Sequence, residues 1–217
     1  MSQPLPLARR AVLAAGLLAV APLFPAPALG AADPAESFVS QNIQKGLVLL
    51  NNKSLTAQQR RDQFEQFLIG LADVKRIADF TLGQYRRSAA PADLAAFEVA
   101  FQNYAVAVYQ SYFSKYAGQT LKVVSSTQRA PADYIVATQM IDPSDHSGQP
   151  PLEVDFRVRT DTGKPVLTDV AVGTSSGGQV WLSLTQRDQF VAFLGQNNGN
   201  VKLLIAHLSD LAKQFKS

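Results

Sequence analysis

The loop at residues 173–177 is the first place where this sequence could hold catalytic chemistry. It reads Gly-Thr-Ser-Ser-Gly and matches G-x-S-x-G, the pattern that presents a nucleophilic serine, here Ser175, on a sharp turn from a strand into a helix. A β-rich run precedes it, but a glycine, a glutamine and an extended Val-Trp pair follow where the helix should begin. The one histidine downstream, His207, lies in a predicted amphipathic helix. We therefore interpret residues 173–177 as a polar loop between strands, not as a hydrolase site.

Metal and cofactor chemistry finds no support in the sequence. The chain has no cysteine, and its two histidines, His146 and His207, are more than sixty residues apart. Two such separated ligands do not make a metal site. Neither a G-x-G-x-x-G nor a Walker motif occurs. We predict no metal, no cofactor and no catalytic residue.

One pair of carboxylates stands on a predicted strand. Glu153 and Asp155 alternate with Val154, Phe156 and Val158, so the polar residues share one face. Two arginines, at positions 157 and 159, continue that polar face. This pattern favours cross-strand ion pairing over acid–base catalysis.

The first 32 residues are predicted to be a signal peptide and the remainder, 33–217, a single domain. Arg9 and Arg10 form a positive region, residues 11–20 an apolar run too short to span a bilayer, and residues 28–30 a small-x-small cleavage site. Either a twin-arginine or a general secretory route fits, and an uncleaved anchor is the alternative. Cleavage near residues 30–32 predicts a periplasmic protein. It also lowers the net charge from +3 to about +1, so the sequence predicts no nucleic-acid partner.

The pattern of elements predicts an α+β fold. Asp33-Pro34, the capping box at Thr56 to Gln59, and Asp73 each open a helix in the first part of the chain. After Gly118 the apolar period changes from 3.6 to 2, which predicts an antiparallel meander. Two helices close the chain, the first capped by Thr185. Helices on the N-terminal side, strands and then helices again are not a doubly wound arrangement.

The helix predicted from Pro91 to Gly118 must position whatever site exists, because it is apolar on two sides. One stripe contains positions 94, 97, 101, 104, 108 and 112, and a second contains 106, 109, 113 and 116. A surface helix normally shows one such stripe. The second predicts either a covering element or a gap that holds an apolar ligand. Phe38, Phe64, Phe67, Leu204 and Leu208 are predicted to be ordinary core.

Several motifs resemble the MlaC family of periplasmic phospholipid carriers, also called the toluene-tolerance family. They are the bend at 80–87 (Phe-Thr-Leu-Gly-Gln-Tyr-Arg-Arg), the long aromatic helix, Asp169-Val170, the Trp181–Phe190 segment and Gly199–Leu208. The likeness extends from about residue 34 to 210, and the hopanoid-associated HpnM proteins are a close branch. A Gly173–Gln179 connection longer than the family's usual link is the main departure.

The resemblance implies a curved antiparallel sheet, cystatin-like in outline, that encloses an apolar cavity with helices. It implies a monomeric carrier of phospholipid, or of hopanoid, between an outer-membrane lipoprotein complex and an inner-membrane ABC-type transport complex. Gly83 is expected near the mouth. The residues that the resemblance places on the lipid-binding wall are Leu82, Tyr85, Phe101, Tyr104, Val108, Val154, Phe156, Val158 and Trp181.

Two other classes remain open at this point. A small enzyme could work in such a cone if Tyr85, Tyr104 or Asp79 lay in the pocket with a shifted pKa. An interaction protein would instead expose its aromatic helix as an apolar docking patch.

Overall fold

The computed structural model describes residues 33–113, 116–174 and 177–216. The predicted signal segment, the catalytic-serine candidate Ser175 and part of the long connection after Gly173 lie outside the described residues. Six α-helices and one 3₁₀ helix are present in the described part. The helices are α1 (Pro34–Leu50), α2 (Ala57–Leu71), α3 (Val74–Thr81), the 3₁₀ helix (Gly83–Arg87), α4 (Pro91–Phe113), α5 (Leu182–Gln196) and α6 (Val201–Lys216).

The first three helices begin where their capping residues predict. The Asp33 side chain accepts a hydrogen bond from the Glu36 backbone N–H, and Asp73 does the same for Arg76. Thr56 and Gln59 form a complete capping box, each side chain bonding the other's backbone N–H. These caps satisfy donors that the first helical turn otherwise leaves unpaired.

Five strands form one open antiparallel sheet in the order β1-β2-β3-β4-β5, so the predicted α+β class is confirmed. The strands are β1 (Thr120–Ala130), β2 (Asp133–Ile141), β3 (Glu153–Arg159), β4 (Val166–Gly173) and β5 (Gln179–Trp181). Bulges interrupt the β1–β2 and β3–β4 pairings. Such bulges bend a strand and increase its twist, which gives this wall its curvature.

Helix α5 begins at Leu182, three residues before the predicted cap Thr185, so that prediction is wrong. The cap comes from another element. Asp169 of β4 accepts a hydrogen bond from the Ser183 backbone N–H at 3.0 Å and one from the Ser183 hydroxyl. Thr185 lies inside the helix and bonds the Trp181 carbonyl. Sequence spacing cannot reveal a cap that a distant strand supplies.

The helical layer has a tightly filled core. Helix α6 lies along α4, and α5 closes the group; the aromatic rings of Phe97, Phe101 and Phe190 meet with centroids 6.1–6.4 Å apart. Leu194, Leu204 and Leu208 are fully buried beside them. Every described side chain at the centre of this layer is apolar.

The bend at the 3₁₀ helix packs closely against the helical layer. Gly83 has φ +55°, and a Cβ there would lie 2.9 Å from the Cγ2 of Val191. Tyr85 lies so close to Gly199, at the α5–α6 turn, that a Cβ on that glycine would be 3.1 Å from its ring. Both glycines are therefore required by packing and backbone conformation.

A second, smaller core fastens α1 to the sheet. Ala35 and Val39, in the first turns of α1, pack against Val136 and Val158 of β2 and β3. All four are buried. The rest of the inner side of α1, as far as Leu50, lines the space described next.

Candidate apolar cavity

A cavity of about 680 Å³ lies between the helices and the concave side of the sheet. Its walls come from α1, α2, one side of α4, the first residues of α3 and α5, and strands β1 to β4. This volume is within the range of about 300–1,000 Å³ that is usual for small-molecule sites. The predicted gap between the aromatic helix and the sheet is therefore present.

The wall is built mainly of aliphatic and aromatic side chains. Helices α1 and α2 contribute Phe38, Val39, Ile43, Leu47, Leu50, Phe64, Phe67, Leu68, Ile69 and Leu71. The sheet contributes Leu121, Met140, Val154, Phe156, Leu167, Val170 and Val172. Such a wall offers few hydrogen bonds and favours an apolar guest.

Helix α4 serves both the filled core and the cavity. Phe97 and Tyr104 point into the helical layer, while Ala105, Val106 and Tyr109 line the cavity. Helical spacing separates the two mean directions by roughly 140°, more than a third of a turn. The second apolar stripe thus borders open space, as the sequence indicated for its members Val106 and Tyr109.

Several of the polar groups in the wall make hydrogen bonds within the protein. Asp169 and Ser183 bond each other at the capped end of α5. Asn42 donates to the Phe38 carbonyl at 2.8 Å. None of these groups is left aimed into the cavity as an obvious reactive centre.

Three of the nine residues expected on the lipid-binding wall line this cavity: Phe101, Val154 and Phe156. Phe101 stands at the border between the two sides of α4, since it also packs against Phe190. Val154 and Phe156 point the same way because they are two apart on β3. Their contact with a ligand stays a prediction.

The other six do not line the cavity. Leu82, Tyr85 and Tyr104 belong to the helical layer, where Tyr104 lies between Phe190 and Phe215. The bend carrying Leu82 turns toward α5, so Gly83 is not among the residues around the cavity, contrary to expectation.

Geometry explains the remaining three. Val108 shares the stripe of α4 that faces the helical layer, not the cavity. Val158 faces the same side as Phe156 but is covered by Ala35 and Val39. Trp181 pairs with Ala171, which pairs with Asp155, so by register it lies on the opposite face from Val154 and Val172.

Sequence reasoning missed most of the cavity wall supplied by α1 and α2. It assigned Phe38, Phe64 and Phe67 to ordinary core, but all three line the cavity. An apolar stripe that faces a cavity and one that faces protein have the same period. The available signal was that α1 and α2, which follow each other in the chain, each have an apolar stripe.

Of the groups considered for catalysis, Asp79, Tyr85, Tyr104 and His207 do not line this cavity. Asp79 forms ion pairs with Lys75 and Arg86 at 3.1 and 3.0 Å. Partial burial opposes its ionisation, but the hydrogen bonds from Arg86 and Lys75 outweigh it and hold the Asp79 pKa below its usual value. His207 stacks on Phe193 with ring centroids 4.8 Å apart. Within the described residues, no group of three metal-binding side chains comes together.

Cross-strand ion pairing was expected on the polar face of β3, and the structure shows it for only part of that face. Arg157 binds Asp133 of β2 through two hydrogen bonds of 3.0 and 2.8 Å, which is the expected cross-strand pairing. Asp155, however, accepts from Gln179 at 2.6 Å instead of pairing with an arginine. No described residue of the 173–179 connection lines the cavity.

A polar cleft of about 350 Å³ adjoins one end of the cavity. It lies between the α1–α2 connection and the chain leading into β1, and it shares Leu50 and Tyr116 with the cavity wall. Its other lining residues include Asn51, Lys53 and Arg60. Beside this end, Leu152 is 43% exposed. We define this end as the mouth and the polar region as the rim cleft.

Comparison with known proteins places this geometry in context. The model of the MlaC protein family matches residues 40–210. A solved structure from Ralstonia solanacearum, described as a phospholipid-binding protein in complex with a phospholipid, superposes with a TM-score of 0.71 at 19% identity. The superposition covers 85% of this chain and 100% of that one. The two proteins therefore share a fold. None of the described helices is both long and apolar enough to cross a membrane.

Proposed function

We propose that this chain, which belongs to the MlaC family, is a carrier that shelters the acyl chains of a phospholipid in the apolar cavity. The observation that carries this proposal is a space of about 680 Å³ walled mainly by aliphatic and aromatic side chains. The Ralstonia solanacearum protein that shares the fold is described as holding a phospholipid.

The energetics of lipid transfer explain why a carrier needs such a cavity. Moving one methylene from water into an apolar surrounding is worth roughly 0.8 kcal/mol, so a sixteen-carbon chain represents about 12 kcal/mol. Without shelter, a lipid cannot leave a membrane for water at that cost. Release then requires a partner that opens the cavity or continues it with another apolar path.

The setting we propose is the periplasm, with residues 1–32 as the export signal. In that compartment the protein would accept lipid from one membrane's transport complex and deliver it to the other's. An inner-membrane ABC-type complex and an outer-membrane lipoprotein complex are the proposed partners. A monomer suffices, since one chain supplies every wall of the cavity.

The proposed role requires no catalysis. The acid considered for an enzyme, Asp79, is engaged by Lys75 and Arg86 away from the cavity. Tyr85 and Tyr104 pack in the helical layer. A recessed apolar space also suits a lipid chain better than it suits docking by a protein surface.

Native mass spectrometry of the purified protein, followed by organic extraction and lipid analysis, tests the proposal. We expect about one phospholipid per chain. A hopanoid in its place would assign the protein to the hopanoid-associated branch. An empty protein that also takes up no added lipid would overturn the carrier function.

A pair of variants locates the bound lipid. Leu68→Asp places a carboxylate on the cavity wall and should remove most of the bound lipid, because burying that charge beside a chain is unfavourable. Leu203→Asp makes the same change on the outer side of α6, where the side chain is 46% exposed, and should leave the lipid bound. Equal occupancy in both variants would exclude the cavity as the lipid site.

A further inference from the structure

Among its described lining residues the rim cleft has two cations, and it connects directly to the apolar cavity. Leu50 and Tyr116 belong to both spaces, so the wall changes from apolar to polar across these two residues. An amphiphile whose chains fill the cavity must place its first polar group where the wall becomes polar. In a phospholipid the acyl esters come first, and the phosphate ester, which is the first charged group, follows a few bonds further out.

The two cations of the rim cleft, Lys53 and Arg60, have no carboxylate partner at ion-pairing distance among the described residues. Arg76, Arg86, Arg157 and Arg159 are paired with aspartates. Other described cations, such as Lys164, also have no carboxylate partner, so what distinguishes Lys53 and Arg60 is that they line one cleft. Two unpaired cations in one cleft give it a local positive potential that attracts anions.

Arg60 is held in place while keeping donors available. Its Nη1 donates to the carbonyls of Asn52 and Leu55 at 3.2 and 2.7 Å, which fixes the guanidinium beside the α1–α2 connection. Its Nε and Nη2 donors make no hydrogen bond to any described residue. A guanidinium fixed in this way can present its remaining N–H groups to phosphate oxygens without first being ordered.

Tyr116 supplies a further donor at the junction. Its hydroxyl accepts a hydrogen bond from Asn51 Nδ2 at 3.1 Å, which leaves the hydroxyl proton for another acceptor. The nearby acid at the mouth, Asp142, is already engaged by Gln119 and Ser144. Those bonds hold its pKa below the usual value, so it stays charged and engaged at neutral pH.

We propose that the rim cleft, through Lys53, Arg60 and Tyr116, binds the phosphate ester of the cargo and makes the protein select anionic phospholipids. This inference rests on the proposed carrier function. A zwitterionic head group carries its own cation and gains less from the cleft, and an uncharged lipid gains nothing.

Competitive loading tests the selectivity. Lipid-free protein is mixed with equal amounts of phosphatidylglycerol, phosphatidylcholine and diacylglycerol of the same acyl chains, and the bound lipids are counted by native mass spectrometry. We expect a preference of about fivefold for phosphatidylglycerol over diacylglycerol, the size that one or two exposed ion pairs provide. The preference should shrink at high salt, because exposed charges are screened.

Three variants separate the cleft from the cavity. Lys53→Glu changes an exposed side chain and should reduce the ratio to about one, or below, while total lipid per chain is unchanged. Arg60→Gln should act in the same direction, with a circular-dichroism control because Arg60 also supports the connection. Lys164→Glu makes the same charge change in the exposed β3–β4 turn and should keep the preference.

The outcomes distinguish this inference from the carrier function. Wild-type selectivity in both Lys53→Glu and Arg60→Gln would overturn the rim cleft as the phosphate site. Inorganic phosphate in excess, compared with chloride at equal ionic strength, should leave the preference in place; its abolition would identify a free-anion site instead. Wild-type protein that takes up none of the three lipids would instead reject the carrier function.

Discussion

Helix α4 separates two regions that are built from the same residue types but packed in opposite ways. On one side, Phe97 and its partners from α5 and α6 fill the space completely. On the other side, Val106 and Tyr109 border a cavity of about 680 Å³. The filled side has aromatic rings in edge-to-face contact, whereas the open side has two helices and a sheet held apart.

This difference separates stability from function within one small domain. A filled core loses both transfer free energy and packing contacts when a side chain is truncated. A wall that borders open space has fewer contacts to lose. The helical layer should therefore set the free energy of unfolding, and the cavity wall should set what the protein holds.

The largest expected effect is in the filled region. Phe97→Ala should lower the free energy of unfolding by roughly 3–5 kcal/mol, because Phe97 is 1% exposed and its removal leaves a void in the filled core. Urea denaturation of the lipid-free protein measures it. The folded fraction should still bind lipid at wild-type stoichiometry, and a loss of lipid from well-folded protein would show that the two regions are not separable.

Gly83→Ala tests the bend that fastens α3 to the helical layer. The backbone there has φ +55°, and an added Cβ would lie 2.9 Å from Val191. We expect a loss of about 1–3 kcal/mol from the strained conformation, with a further cost if Val191 must move. Gly70→Ala is the matched control, since a Cβ there meets nothing within 4 Å. Equal stability of the two variants would contradict the packing role of Gly83.

The filled region was the more predictable of the two. Local signals specified its elements: the Asp73 cap of α3 and the apolar stripe of α6 are read from neighbours within four residues. The antiparallel meander was predicted equally well, from the alternation of apolar and polar residues along its strands. The predicted start of α5 was wrong, because Asp169 of β4 caps that helix through Ser183, 14 residues later in the chain.

The cavity could be inferred in kind but not in detail. The double stripe of α4 indicated that something apolar lay on its second side, and Val106 and Tyr109 are there. Which residues form the opposite wall depends on how far α1 and α2 stand from the sheet, and periodicity contains no such distance. Trp181 illustrates the limit, because its face was decided by the register of β5 against β4.

The outer face of the sheet supplies a pH-dependent test of the wall's support. The bidentate hydrogen bond from Arg157 lowers the pKa of Asp133, although partial burial opposes this shift. A lowered pKa adds stability above the ordinary value of 3.8, and that stability is lost as the pH falls through the folded-state value.

Asp133→Asn should therefore cost about 1–2 kcal/mol at pH 7, a modest value because the Arg157 side chain is 37% exposed. The difference from wild type should shrink as the pH is lowered below about 4, where the Asp133 carboxyl of the unfolded chain is protonated first, and should be lost once the folded-state carboxylate is protonated as well. Urea denaturation at a series of pH values measures it. A difference that stays constant down to pH 2 would show that the ion pair contributes nothing.

The smallest effect is expected for a leucine-to-alanine substitution in the cavity wall, compared with the same substitution in the filled region. Leu204→Ala removes a fully buried side chain from the helical layer and should cost about 2–5 kcal/mol. Leu68→Ala removes a half-buried side chain that borders the cavity, and in lipid-free protein it should cost only about 1 kcal/mol, since few contacts are lost.

With lipid bound, the difference between the costs of the two substitutions should narrow. The acyl chain then contacts Leu68, so removing that side chain also weakens the stabilisation by the ligand. Urea denaturation of both variants, with and without lipid, measures these costs. A Leu68→Ala variant as costly as Leu204→Ala before lipid is added would mean that the wall collapses onto itself in solution, and that the cavity is opened by its ligand.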